Sequence, residues 1–70
     1  MVAGPADYEI VVRGRLGSAT IKSLEGVEVK ASGPEATYLR GRFDQAALQG
    51  LLAELGSLGV ELSAVRRLSE

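Results

Sequence analysis

Apolar and polar residues alternate along three short stretches of this chain and switch to a helical spacing in one longer stretch. In Tyr8 to Leu16, Tyr8, Ile10, Val12, Gly14 and Leu16 share one face, while Glu9, Val11, Arg13 and Arg15 share the other. A period of two is that of a half-buried strand, and Val11 on the polar side marks it as interior to a sheet. Val27 to Ser32 alternates in the same way, with Val27, Val29 and Ala31 against Glu28, Lys30 and Ser32. Ser32-Gly33-Pro34-Glu35 reads as a turn. Ala36 to Phe43 then forms a third strand with Leu39, Gly41 and Phe43 inward and Arg40 and Arg42 outward. So short a polar connection predicts an antiparallel hairpin. Val60 to Leu68 reads as a last strand whose alternation slips between Leu62 and Val65, predicting a bulge or a local change of face near Ser63-Ala64.

The helical stretch is Phe43 to Val60, FDQAALQGLLAELGSLGV. On a helical wheel Ala47, Leu48, Leu51, Leu52, Leu55 and Leu58 fall within an arc of about 140°, the width of a core-facing stripe. Asp44 is placed to cap its start, since a carboxylate accepts from the free N–H groups of the first turn and suits the positive end of the dipole. Phe43 and Leu48 are spaced as a hydrophobic staple. Gly59 suits the left-handed position of a Schellman ending that turns Val60 back onto Leu55. Gly50 and Gly56 each cost about 1 kcal/mol relative to alanine, so this helix needs an apolar surface to lie on.

Between the first two strands, Ser18 to Glu25 reads either as a helix of one or two turns, capped by Ser18 with Ile21 and Leu24 inward, or as an irregular loop. With the helix, the order is β, α, β, β, α, β: an α+β fold with a four-stranded antiparallel sheet covered on one face by the long helix, ferredoxin-like, in strand order 4-1-3-2. With a loop, strands 1 to 3 form a meander. The interior character of the first strand favours the former. Residues 1–7 are expected to be a flexible tail and residues 8–68 a single domain. The expected core is Tyr8, Ile10, Val12, Val27, Val29, Leu39, Phe43, Leu48, Leu51, Leu52, Leu55 and Leu62.

Composition narrows the chemistry. Among 70 residues there is no cysteine and no histidine, so disulfides and the usual zinc sites are unavailable, as are the commonest general base and the commonest low-pKa nucleophile. A core this small contributes only about 3–5 kcal/mol net, which leaves close packing or self-association as the routes to stability. Serines 18, 23, 32, 57, 63 and 69 have no base beside them in sequence, and the carboxylates are scattered rather than clustered as a metal site requires. The run RGRLGSA lacks the glycine spacing and the lysine of a phosphate-binding loop. A non-enzyme without cofactor or metal is therefore expected. No apolar run approaches the roughly 20 residues of a membrane span and no signal peptide is apparent, so a cytoplasmic protein without a membrane partner is expected.

The run DQAALQGLLAELGSLGVELSAVRRL resembles the closing half of a family of small, uncharacterised single-domain proteins from high-GC bacteria. Their long helix carries a D-Q-A-A-L-x-G-L-L motif, and a final strand follows it. The resemblance covers Phe43 to Leu68, and the opening YEIVVRGRL also looks like the family's first strand. It implies a single small α+β domain with no assigned reaction and no catalytic motif. The chain departs from the family between Gly17 and Leu24, where relatives carry a tryptophan-containing segment.

The distribution of basic residues carries what functional content remains. Of eight lysines and arginines, seven (Arg13, Arg15, Lys30, Arg40, Arg42, Arg66, Arg67) fall in predicted strands. Arg13, Arg15, Lys30, Arg40 and Arg42 are expected on the sheet face away from the helix, making that face basic, with Val11 and the ring of Tyr38 among them. In the plainest reading these cations pair across strands with Glu9 and Glu28, each pair contributing from a few tenths up to about 1 kcal/mol. The functional reading is a non-catalytic interaction or regulatory module that docks on a partner protein or forms a homodimer through this face, since arginine and tyrosine are enriched at interface hot spots. Two alternatives stand beside it. One is weak single-stranded nucleic-acid binding, for which one tyrosine is a poor stacking platform. The other is small-ligand sensing at a dimer seam, which rests on fold analogy alone.

Overall fold

The computed structural model describes residues 4–68. It orders them as β1 (Ala6–Arg13), α1 (Ser18–Ser23), β2 (Val27–Ser32), β3 (Ala36–Phe43), α2 (Gln45–Ser57) and β4 (Leu62–Arg67). The strands form one sheet in the order β2-β3-β1-β4 with every neighbouring pair antiparallel. This is the expected βαββαβ, ferredoxin-like α+β arrangement, with the first strand interior and a helix between β1 and β2.

The ends of α2 follow from local chemistry. Asp44 is the N-cap, and its carboxylate accepts from the backbone N–H of Ala47 at 2.8 Å. At the other end Gly59 has a φ of +79°, a left-handed conformation that costs glycine little. There the N–H of Gly59 donates to the Gly56 carbonyl at 3.1 Å and that of Val60 to the Leu55 carbonyl at 3.0 Å, the two bonds of a Schellman ending. Val60 is consequently spent on closing the helix, and the last strand starts at Leu62, two residues later than its apolar pattern suggests. The short helix α1 is capped by Gly17, without a side-chain bond, so Ser18 is its first residue and not its cap.

Both helices lie on one face of the sheet. Ile10 and Val12 of β1, Leu39 and Phe43 of β3, and Leu48, Leu51 and Leu55 of α2 form one buried cluster with Leu16 and Leu24. Tyr8, Val27, Val29 and Leu52 are partly buried against it. Four positions depart from expectation. Leu62 is not core but 44% exposed, because it lies on the edge strand β4. On the helix, Ala47 is exposed despite its place on the apolar arc, and Leu58 is 48% exposed because it is the C-cap residue at the end of α2. At the start of the chain Ala6, placed in the tail by composition, is buried and pairs with Phe43 across β1 and β3. The rest of the expected tail is divided: Asp7 belongs to β1, whereas residues 1–3 lie outside the described residues.

Two positions that look undistinguished in sequence support the sheet. Thr37 is fully buried, and its hydroxyl donates to the Gly14 carbonyl at 2.7 Å, tying β3 to the exit of β1. Gly41 leaves room for the ring of Phe43. A Cβ there would stand 2.5 Å from both the Gly26 carbonyl oxygen and a carbon of that ring.

Leu55→Ala is expected to cost about 2–5 kcal/mol in equilibrium denaturation, whereas Leu62→Ala should cost less than about 1 kcal/mol. Equal losses at the two sites would place the helix over the wrong strands. Gly41→Ala should destabilise by about 1–3 kcal/mol in the same measurement, since a backbone oxygen cannot move aside as a side chain can.

Candidate functional site

The register decides which side chains share the face that no helix covers. With Ile10 and Val12 fully buried on the helix side, Asp7, Glu9, Val11 and Arg13 of β1 point to the other side. From β3, Arg42, Arg40, Tyr38 and Ala36 stand beside them as direct partners in that order. β2 contributes Glu28 opposite Arg40 and Ala31 opposite Tyr38, and β4 contributes Arg66 opposite Glu9 and Ala64 opposite Val11.

These pairings organise the face into rows that run across the strands. One row reads Glu28, Arg40, Glu9, Arg66 from β2 to β4, alternating in charge at every strand. The next reads Ala31, Tyr38, Val11, Ala64 and is apolar throughout, with Tyr38 40% exposed. On the far side of the charged row, Arg42 lies opposite Asp7.

Ion pairs follow the rows. Arg66 donates to Glu9 at 3.0 Å, Arg42 lies 3.5 Å from Asp7, and Lys30 lies 3.7 Å from Glu28 on its own strand. Arg13 turns to Glu61 at 3.6 Å, at the end of the sheet. The basic side chains of these pairs are well exposed, so each pair contributes from nothing measurable to about 1 kcal/mol. Arg40 is the exception: among the described residues it has no ion-pair partner, although Glu9 and Glu28 flank it on both sides.

The expected basic face is therefore corrected to one of alternating charge. Of the residues assigned to it from sequence, Val11, Arg13, Lys30, Tyr38, Arg40 and Arg42 come from the sheet and its open side. Arg15 does not. β1 ends at Arg13, Gly14 takes a φ of +79°, and Arg15 leaves the strand to line a cleft at the sheet end. The alternation of β1 and β3 implies that Glu9, Val11, Tyr38 and Arg40 share one face, but the Glu9–Arg40 and Val11–Tyr38 pairings come from the register, since a shift of two residues keeps every face. The places of Arg66 and Ala64 could not be read in the same way, because the bulge at Ser63 resets the register between β1 and β4.

Elsewhere, the cleft reached by Arg15 has a volume of about 860 Å³ and is also lined by Arg13, Glu35, Glu61 and Ser63. Its arginine–glutamate content is mixed in sign, and Arg13 is already engaged by Glu61. A second hollow of about 510 Å³ lies between Phe43, Leu51 and Arg42. Among the described residues no group of histidine, cysteine, aspartate or glutamate is disposed to hold a metal ion, and no helix is long and apolar enough to cross a membrane.

Comparison with curated proteins gave no significant match, and neither did comparison with solved structures. A family model described as a domain of unknown function, DUF8691, matches residues 7–66, the span from the second residue of β1 to the penultimate residue of β4. The chain therefore belongs to the DUF8691 family.

Proposed function

We propose that this chain is a non-catalytic docking module that binds a protein surface, its own or another's, through the open face of the sheet. The observation that carries this reading is the apolar row Ala31, Tyr38, Val11, Ala64 laid beside a row of alternating charge. A central apolar strip with polar groups beside it is the arrangement of a protein–protein contact. Tyr38 offers a large, stiff side chain at low entropic cost and Arg40 an unengaged guanidinium, the two residue types that dominate interface energetics. The interleaved acids Asp7, Glu9 and Glu28 weigh against the alternative of a nucleic-acid strand, since a polyanion gains from uniform positive charge. Sensing of a small ligand would have to use the hollow of about 530 Å³ between Ala31, Tyr38 and the β2–β3 turn, which lies at the edge of this face.

The resemblance of the α2 segment to small proteins of high-GC bacteria fits this reading, because that family brings no reaction with it. A bacterial, cytoplasmic setting is part of the same proposal, supported by the absence of cysteine.

Crosslinking pull-down from the native host with wild type, Tyr38→Asp and Gln49→Arg tests the surface. Gln49 is exposed on α2, away from the sheet's open face. The wild type and Gln49→Arg are expected to yield the same crosslinked species, with Tyr38→Asp losing at least about tenfold of it, as expected for an interface anchor. Retention of the species by a folded Tyr38→Asp protein would remove the open face as the working surface.

A further inference from the structure

Resting on the docking reading above, we infer that the partner is a second copy of this chain, held face to face about a two-fold axis that runs along the strands between β1 and β3. Such an axis exchanges β3 with β1 and β2 with β4 of the opposing sheet. The charged row Glu28, Arg40, Glu9, Arg66 then meets its own reverse. Arg40 lies over Glu9 of the second copy and Glu9 over its Arg40, while Glu28 and Arg66 face each other at the flanks. The neighbouring row obeys the same rule, with Arg42 over Asp7 of the other copy. In the apolar row Tyr38 falls on Val11 and Ala31 on Ala64, so apolar meets apolar on the same operation.

The alternative two-fold axis, across the strands at the charged row, sets Arg40 against Arg40 and Glu9 against Glu9, and like charges brought together oppose association. The pattern of signs thus favours the axis along the strands over an axis across them at the charged row. Arg40 adds a reason of its own: it stands next to the axis with no ion-pair partner among the described residues. Within each copy Glu28 already lies 3.7 Å from Lys30 and Glu9 accepts from Arg66 at 3.0 Å, so Arg40, beside the axis, is the cation free to set the register by sharing Glu9 of the second copy. Two twisted sheets pack face to face about 10 Å apart with their strands about 30° from aligned, and an axis bisecting that angle is compatible with this pairing.

Four strands about 4.8 Å apart, each exposing about 20 Å of length, offer a footprint of about 400 Å² per copy, roughly 800 Å² in total. That is the size of a weak or transient association, so the measurement has to reach high concentration. Self-association is therefore to be measured by sedimentation equilibrium from about 10 μM to about 1 mM, on wild type, Arg40→Glu, Glu9→Arg and an equimolar mixture of the two variants. The wild type should dimerise. Each variant alone should show a dissociation constant raised at least about tenfold, because either substitution sets like charges against each other beside the axis. The mixture should recover dimer as the heterodimer alone, since in it every central contact is again between opposite charges.

If either variant fails to fold by circular dichroism, Glu28→Arg with Arg66→Glu makes the same test at the outer strands. Wild-type dimer without heterodimer in the mixture overturns the axis. If Tyr38→Asp also loses that dimer, the open face stands and only its register is wrong. A wild type that stays monomeric throughout overturns the second copy as partner, while the docking reading then rests on the Tyr38→Asp pull-down.

Discussion

A single apolar layer, closed between α2 and the two central strands, carries this structure. Leu48, Leu51 and Leu55 descend onto Ile10, Val12, Leu39 and Phe43, and nothing else of comparable size holds the chain. With no disulfide to constrain the unfolded state, folding depends on that layer being filled without voids. The cap at Asp44 and the Schellman ending at Gly59 then fix where the helix starts and stops, so its leucines arrive above the strands in phase. The space left at Gly41 serves the same layer, because the ring of Phe43 can lie down only where a neighbouring Cβ is missing.

This one-sided burial also creates the functional face. Strands with a period of two send alternate residues to opposite sides, so every side chain given to the layer sends its neighbours to the open surface. Antiparallel registers turn those neighbours into rows. Glu9 stands between two arginines and Arg40 between two glutamates because β1 and β3 are the inner strands of the sheet. The charge order is thus a property of strand order as much as of sequence.

Much of this is legible in the residues, and the failures have identifiable causes. The long helix and the β2–β3 hairpin can be read in advance because caps, turns and periodicities act over a few residues. Val11, an apolar residue on a polar face, marks β1 as interior, and that favours the observed strand order over a meander. The burial of Ala6 cannot be read in this way, since a small residue beside Gly4 and Pro5 looks like tail until Phe43 is known to lie opposite. Arg15 continues the alternation of β1 perfectly in sequence, but Gly14 takes a left-handed conformation and the strand stops at Arg13. Leu62 looks like core because it is apolar; only its place on an edge strand exposes it. The uniformly basic face fails for a related reason, since the arginines are conspicuous in the chain while the acids between them emerge only when four strands are set side by side.

Both outer strands carry one residue more than their inner neighbours can match, Lys30 in β2 and Ser63 in β4. An irregular margin bends away from the plane of the sheet and offers an incoming strand a broken ladder of donors and acceptors. Lateral growth, the route by which small open sheets run on into fibrils, is discouraged at both margins at once. What this fold leaves free for contact is its breadth, while its borders are frayed against extension.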